Sequence, residues 1–275
     1  MTTGKVDFTG VQSTMLVTLF LKALDAEETE PVLGDRFAAE AVDRIDYDWA
    51  KLDKPTITRN RFGLALRTRQ IDDWTADFLR RNPDATVLHL ACGLDARAFR
   101  LDLPDGVRWF DVDLPDVIAL RRELYEDADG YRMIGASVTG EDWLAEIPAG
   151  KPVFVIAEGL LMYLHEAEVW QLLGRLTEHF GTGELVFDGV LPWVAKLTQV
   201  LKKYLNRWYD YPAYWTPIRD GSDIARWNPR LLYRDHVALV AQYDRIPDRK
   251  LQRAYRLMSR FGPVRNYLRV FRADF

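Results

Sequence analysis

The sequence is nearly without cysteine, because only Cys92 among its 275 residues has a thiol. A single cysteine excludes an internal disulfide and any zinc site built from several thiolates. The four histidines show no spacing typical of metal ligands, so we expect no metal. Low cysteine content favours a reducing compartment, and the first residues lack the apolar core of a secretion signal. We therefore expect a cytoplasmic protein.

The chain also lacks long apolar runs and an excess of positive charge. Its longest apolar stretch near the start, residues 11–24, is interrupted by polar side chains and is too short to span a membrane. Lys and Arg total 37 against 41 for Asp and Glu, which gives a net charge of -4 and no general attraction to nucleic acid. These features predict neither a membrane nor a nucleic-acid partner.

The order of elements predicts an α/β fold. Up to about residue 85 the pattern is helical, with helices near residues 16–23, 35–46 and 71–81. Short apolar runs typical of strands follow, separated by helical stretches: 86–90, 108–112, 131–136, 153–157 and a strand centred on 185–187, with a last one at 267–271. This alternation predicts a Rossmann-like, doubly wound, mostly parallel sheet.

We interpret the chain as one domain in four parts, because no segment rich in Gly, Ser or Pro separates them. Residues 1–85 form a helical cap, residues 86–191 form the cofactor-binding core, and residues 249–275 contain a helix and the last strand. Residues 192–248 are rich in aromatic side chains, Trp208 and Trp215 among them, and are expected to form a helical lid over the sheet.

The first candidate site is the turn Ala91-Cys92-Gly93, where a strand ends and a helix follows. Small residues there let a ligand approach the backbone and the free N–H groups of the helix. Asp113 ends the next strand, about 20 residues beyond Gly93, where Rossmann folds place the carboxylate that binds ribose hydroxyls. Asp111 projects to the same side but lies further from the carboxyl end. The alternative is that Asp113 only forms a turn.

The second candidate site is Glu158, at the end of an apolar strand in the stretch IAEGLLMYL. Open α/β sheets bind ligands at this edge, and a carboxylate placed there needs a charged or polar partner. The ammonium group of an amino acid would serve. The alternative is that Glu158 only braces the following turn.

Three stretches together, LACGLDARAFRL, FDVDLPDVIALRR and IAEGLLMYL, closely resemble the leucine carboxyl methyltransferase family, in particular its bacterial and fungal polyketide branch. The resemblance implies a fold of the class I methyltransferase type and S-adenosyl-L-methionine as cofactor. This sequence departs from the family at Ala91, where relatives usually have glycine, and at Ala96, where they usually have threonine.

The resemblance also assigns cofactor contacts. It implies that Arg67 binds the carboxylate of S-adenosyl-L-methionine, as suits a guanidinium, instead of being a solvated helix residue. It places the other contacts at Ala91 and Gly93 for the methionine part, Asp113 for the ribose, Ser137 and Val138 for the adenine, and Glu158 for the amino group.

The acceptor is expected to be a small-molecule carboxylic acid with an aromatic or polyketide-like body. A carboxylate is ionised at neutral pH, so its methylation needs no general base, and the histidines form no constellation that would provide one. Tyr163 either lines the acceptor site or packs in the core, and no catalytic residue is assigned beyond it.

Three other functions stay open on the sequence. A phenol or hydroxyl O-methyltransferase would need a base near the acceptor. An NAD-dependent oxidoreductase would need more glycines than the turn at Ala91 contains. The third is a cofactor-binding partner protein without catalysis, which the alanine at position 91 keeps open.

Overall fold

A seven-stranded sheet forms the centre of the structure, a computed structural model that describes residues 13–205 and 213–275. The sheet has the order β3-β2-β1-β4-β5-β7-β6. The first five strands in this order pair in parallel, and β7 runs antiparallel to both of its neighbours. The strands are β1 (Thr86–Leu90), β2 (Arg108–Asp113), β3 (Tyr131–Gly135), β4 (Val153–Ala157), β5 (Gly183–Val190), β6 (Leu232–Ala238) and β7 (Leu268–Asp274).

The helices divide between the amino-terminal part and the two faces of the sheet. Before the sheet come α1 (Ser13–Ala26), α2 (Arg36–Arg44), α3 (Pro55–Thr58) and α4 (Arg61–Arg81). Between and after the strands come α5 (Arg97–Arg100), α6 (Pro115–Leu124), α7 (Glu166–Phe180), α8 (Pro192–Leu205), α9 (Ser222–Trp227), α10 (Arg249–Met258) and α11 (Gly262–Arg265). In these residues we find no helix with the length and apolar character needed to cross a membrane.

Both faces of the central strands are covered, which explains their apolar sequences. Every residue of β1 and β4 is buried. Alternate side chains of β1 point to opposite faces, so Leu88 packs with α7 residues such as Leu172, whereas Val87 packs with α4 residues such as Trp74. This two-sided core holds the ends of the strands in fixed positions.

The predicted fold class is confirmed, and the predicted strands 86–90 and 153–157 coincide with β1 and β4. Two expectations need correction. Residues 192–248 are not wholly helical, because β6 lies among them and forms an edge of the sheet. Among the described strands it pairs only with β7, and its first four residues are exposed, so its sequence lacks an apolar run. The helix expected at residues 71–81 begins ten residues earlier, at Arg61.

A buried polar cluster centred on Asp111 holds β2 to α6. The carboxylate pairs with the guanidinium of Arg121 and accepts hydrogen bonds from Tyr131 Oη at 2.6 Å and Trp109 Nε1 at 2.8 Å. Both charged side chains are fully buried. Burial alone would raise the pKa of Asp111, but the charge of Arg121 outweighs it and lowers that pKa to about 2. Asp111 therefore has a structural role.

We expect Arg121→Met to destabilise the protein by about 3–5 kcal/mol, because it leaves the Asp111 carboxylate buried without its cation. The neighbouring Arg122→Met is the matched control. Arg122 is half exposed, its Asp127 contact is 3.9 Å long, and it donates one hydrogen bond to the Met133 carbonyl at 2.9 Å, so its loss should cost at most about 2 kcal/mol. Urea unfolding of both variants measures the difference. Equal free energies of unfolding would contradict a supporting role for the cluster.

Candidate functional site

The sequence-predicted site residues gather at one edge of the sheet, where the parallel strands end. Ala91 directly follows β1, Asp113 is the last residue of β2, and Glu158 directly follows β4. Ser137 comes two residues after β3. Since β1 pairs with β2 on one side and with β4 on the other, the chain reverses its strand order here. Open α/β sheets bind ligands at such a point.

The turn after β1 has a backbone that favours glycine. Gly93 has a φ of +52°, and Ala91 has a φ of +49°, the one positive φ of a non-glycine residue in the described chain. A left-handed alanine costs about 1–2 kcal/mol relative to its ordinary conformation. This strain explains why relatives in the resembled family usually have glycine at the position of Ala91. The alanine keeps the same turn and adds one methyl group to it.

Asp113 braces this turn across the two strands. Its Oδ2 accepts a hydrogen bond from the Gly93 N–H at 2.7 Å, and its Oδ1 accepts one from the Leu114 N–H at 2.7 Å. Burial raises the pKa of the carboxyl, against the lowering effect of these hydrogen bonds. Each carboxylate oxygen has a second lone pair, so Asp113 can also accept hydrogen bonds from a ligand. The turn-forming and ligand-binding roles are thus compatible.

Helix α1 lies directly against the same turn. A Cβ added at Gly93 would come within 3.2 Å of Met15 Cβ, which leaves little room for a larger residue. Lys22, also on α1, pairs with Asp95 at 2.9 Å just beyond the turn, and both side chains are buried. The amino-terminal helices therefore form one wall of the candidate site.

Glu158 has a buried side chain that accepts hydrogen bonds from three donors. Its Oε1 accepts hydrogen bonds from Arg67 Nε at 2.8 Å and Thr68 Oγ1 at 2.9 Å, and Arg97 Nη2 donates to its Oε2. Burial would raise the pKa of this carboxyl, but Arg67 and Arg97 lower it well below its usual range. The carboxylate is therefore ionised, at the position predicted from the IAEGLLMYL stretch.

Arg67 reaches the site from α4 and binds two carboxylates. Besides the bond to Glu158, its Nη1 donates to Asp188 Oδ2 at 2.9 Å. Burial would lower the pKa of the guanidinium, but Asp188 and Glu158 together raise it. The contacts exclude the alternative that Arg67 is a solvated helix residue, because its side chain is only 14% exposed.

The ion pairs continue behind Glu158 as a connected buried network. Arg97 also binds Asp72, and Arg100 binds Asp72, Asp95 and Asp35. Within the described residues the network joins four cations to five carboxylates: Lys22, Arg67, Arg97 and Arg100 with Asp35, Asp72, Asp95, Glu158 and Asp188. It therefore has one more negative than positive charge, which favours a ligand with a net positive charge.

The residues expected beside the adenine lie in different environments. Ser137 is exposed, and its hydroxyl is 2.8 Å from that of Thr139. Val138 is buried in the core with Trp143 and Leu144, and its carbonyl accepts a hydrogen bond from Arg175. Both follow β3 at the same edge as Asp113, since Asp113 pairs with Gly135.

Tyr163 lies five residues beyond Glu158 and packs against aromatic and aliphatic side chains. Its ring centroid is 5.3 Å from that of Tyr214, and Val190 and Ala195 belong to the same cluster. Trp208 of the aromatic segment lies outside the described residues. Trp215 is about half exposed and borders a cavity of about 320 Å³, with Pro192, Pro217 and Trp227 among its other walls.

Sequence reasoning missed Asp188, Thr68 and Arg97 as members of the site. Asp188 has a signal similar to that of Glu158, because it is a carboxylate near the carboxyl end of a buried strand, although this strand also contains Glu184. Arg97 follows the Gly93 turn and lies within LACGLDARAFRL, one of the three stretches that show the family resemblance. No signal in the sequence connects either residue to Arg67. In the described residues no group of three or more His, Cys, Asp or Glu side chains is arranged to hold a metal ion.

The chain is similar to known proteins over most of its length. The sequence model of the leucine carboxyl methyltransferase family matches residues 15–177. The chain is 52% identical to the tetracenomycin polyketide synthesis O-methyltransferase of Streptomyces glaucescens, over 72% of this chain and 73% of that protein. It is 34% identical to an S-adenosyl-L-methionine-dependent methyltransferase of Gibberella zeae, over 88% and 87% respectively.

A solved structure shows the same fold. A putative methyltransferase from Thermobifida fusca superimposes with a TM-score of 0.55 at 18% identity, covering 92% of this chain and 93% of that one. At this identity the likeness concerns the fold alone. The family match covers more than half of the chain, including the turn at Gly93, Asp113 and Glu158. The chain belongs to the leucine carboxyl methyltransferase family.

Proposed function

We propose that this protein transfers a methyl group from S-adenosyl-L-methionine to a carboxylate oxygen of a small organic acid. The observation on which the proposal rests is that Arg67 and Glu158 lie side by side at the point where the strand order reverses. A buried cation beside a buried anion fits the two charges of a ligand that contains a free amino acid group.

The donor set of this edge fits S-adenosyl-L-methionine. Arg67 would bind its carboxylate, Glu158 its ammonium group, and Asp113 its ribose hydroxyls through the remaining lone pairs. The small residues Ala91 and Gly93 would face its methionine part. Ser137 and Val138 would lie beside the adenine. The cofactor would then extend along the sheet edge from the end of β4 to the end of β3. The excess negative charge of the network favours the net positive charge of this cofactor.

S-adenosyl-L-methionine supplies, when bound, an electrophilic methyl group on a positively charged sulfur. The residues of the chain would hold the two reactants in line and exclude water from them. Asp113, Arg67 and Glu158 would fix the cofactor at three points. Helix α1, whose Met15 lies close to the turn at Gly93, would cover it.

A carboxylate acceptor is supported by the family and by the surroundings of the histidines. His89 is buried between Asp111 and Arg97, and His165 begins α7 as its N-cap. His179 contacts the Ile147 carbonyl at 2.7 Å, and His236 contacts Tyr233 Oη at 2.6 Å. None of these positions supplies a base facing the turn at Gly93. An acceptor that is already ionised needs none.

The cavity beside Trp215 supports an acceptor with an aromatic or apolar body. Its volume of about 320 Å³ falls in the lower range of small-molecule sites. The backbone N–H of Trp215 donates to the Met162 carbonyl at 2.7 Å, which ties this wall to the loop after β4. The similar O-methyltransferase named for polyketide synthesis is consistent with such a substrate.

We expect the purified protein to bind S-adenosylhomocysteine in preference to NAD, and Asp113→Ala to weaken that binding about 5- to 150-fold. The variant removes a hydrogen-bonding carboxylate, which typically costs about 1–3 kcal/mol. Asp116→Ala, an exposed carboxylate on the following helix, should leave the affinity unchanged. Calorimetry tests both variants. Unchanged affinity in Asp113→Ala would leave that residue with its turn-bracing role only.

We expect the best substrate to become a methyl ester. Because a carboxylate needs no deprotonation, turnover should be flat above about pH 6 and fall only as the acid becomes protonated. Carboxylic acids and phenols with the same ring systems should be compared as acceptors, with mass detection of products. A methylated product that survives mild alkali would be an aryl ether and would exclude the carboxylate acceptor, although not methyl transfer.

We expect α1 and residues 192–205 to act as a cover that closes over the acceptor. Hydrogen exchange should slow in both segments when S-adenosylhomocysteine binds, because closure protects their amides. Helix α7, which packs on the sheet through Val169 and Leu172, is the internal control and should not change. Identical exchange of α1 with and without the cofactor product would show that this helix is a fixed wall.

A further inference from the structure

Strand β5 places a second carboxylate beside Glu158. Ala157, at the end of β4, pairs with Phe187 of β5, so the next residues on the two strands, Glu158 and Asp188, lie at the same level of the sheet. The side chain of Asp188 is fully buried, although a carboxylate is costly to bury without partners. Nothing in the proposed cofactor contacts uses it.

Asp188 has two partners, and they belong to different parts of the site. Its Oδ1 accepts a hydrogen bond from the Gly159 N–H at 2.5 Å, in the turn that follows Glu158. Its Oδ2 accepts one from Arg67 Nη1 at 2.9 Å. Gly159 has a φ of +64°, a conformation that favours glycine. Asp188 thus ties helix α4 to the turn that presents Glu158.

The two carboxylates hold different atoms of the same guanidinium. Glu158 binds Arg67 through Nε, and Asp188 binds it through Nη1. Glu158 has Thr68 and Arg97 as further donors, so it keeps a cationic partner if its bond to Arg67 breaks. A ligand with a carboxylate and an ammonium group could therefore separate Arg67 from Glu158 while Asp188 still holds the guanidinium.

We propose that Asp188 is a positioning residue, which holds Arg67 and the Gly159 turn in place while the Arg67–Glu158 contact is exchanged for contacts to the amino acid group of the cofactor. The inference rests on the proposed function. It concerns only one end of the ligand, because the Asp188 contacts lie at Arg67 and Gly159 and not at Asp113.

The charge of Asp188 is needed for this role, and not only its shape. In Asp188→Asn the amide oxygen can still accept the Gly159 N–H. The amide NH₂ would then face the N–H groups of Arg67, where two donors cannot bond. Arg67 would be left with Glu158 as its sole anionic partner, so the pair would be harder to separate.

The test compares two ligands on the intact chain by calorimetry: S-adenosylhomocysteine, which has the amino acid group, and 5′-methylthioadenosine, which lacks it. We expect Asp188→Asn to lower the affinity for S-adenosylhomocysteine about 10- to 100-fold and to change the affinity for 5′-methylthioadenosine less than about twofold. Asp223→Asn, a buried carboxylate paired with Arg226 on α9, is the control and should change neither affinity.

The other outcomes overturn the inference in distinguishable ways. Equal weakening of both ligands would make Asp188 a general structural residue, and unchanged affinities would deny it a role in binding. Failure of the unsubstituted protein to bind either ligand would instead contradict the proposed function.

A second comparison keeps the inference testable if Asp188→Asn does not fold. The double variant Arg67→Gln/Asp188→Asn leaves neither charge of this pair buried without its partner, whereas Arg67→Gln alone leaves Asp188 with the Gly159 N–H as its hydrogen-bond donor. If Asp188 acts through Arg67, the single and the double variant should show the same ratio of S-adenosylhomocysteine affinity to 5′-methylthioadenosine affinity. A further loss of S-adenosylhomocysteine binding in the double variant would contradict a role exerted through Arg67.

Discussion

Pairing of buried guanidinium groups with buried carboxylates is the interaction on which the candidate site depends. Arg67, Arg97 and Arg100 are held by carboxylates from α4, β4 and β5 and from the turn after β1. Removing one member of such a pair leaves a charge without compensation, at a cost of several kcal/mol. Helix α4 and the strand ends therefore cannot shift independently, and the network sets the distance between them.

The same pairing makes the site suited to a zwitterionic ligand. Opposite charges that are already buried have lost most of their water, so a ligand with matching charges replaces one set of ion pairs by another. Asp113 lies outside this network and is held by two backbone N–H groups instead. The edge thus combines an ionic half, at the ends of β4 and β5, with a hydrogen-bonding half at the ends of β1 and β2.

How much could be predicted from the sequence varied with the environment of each residue. Strands β1 and β4 were predicted to the residue, because both of their faces are buried and their sequences are continuously apolar. Strand β6 was missed, because an exposed edge strand with polar residues has no such signal. The partners of Arg67 lie 91 and 121 residues away in the sequence, and no local pattern encodes contacts of that separation. Thus the positions of Asp113 and Glu158 could be predicted, but the ion pairs around them could not.

The position of β7 between β5 and β6 affects how the chain can fold as it is made. Strand β6 ends at Ala238, but its pairing partner begins at Leu268, about 30 residues later. At a synthesis rate of about 5–20 residues per second, β6 would wait roughly 1.5–6 seconds for that partner. During this interval one edge of β5 also lacks its neighbour. The exposed, charged residues of β6, such as Arg234 and Asp235, disfavour pairing with another nascent chain in the meantime.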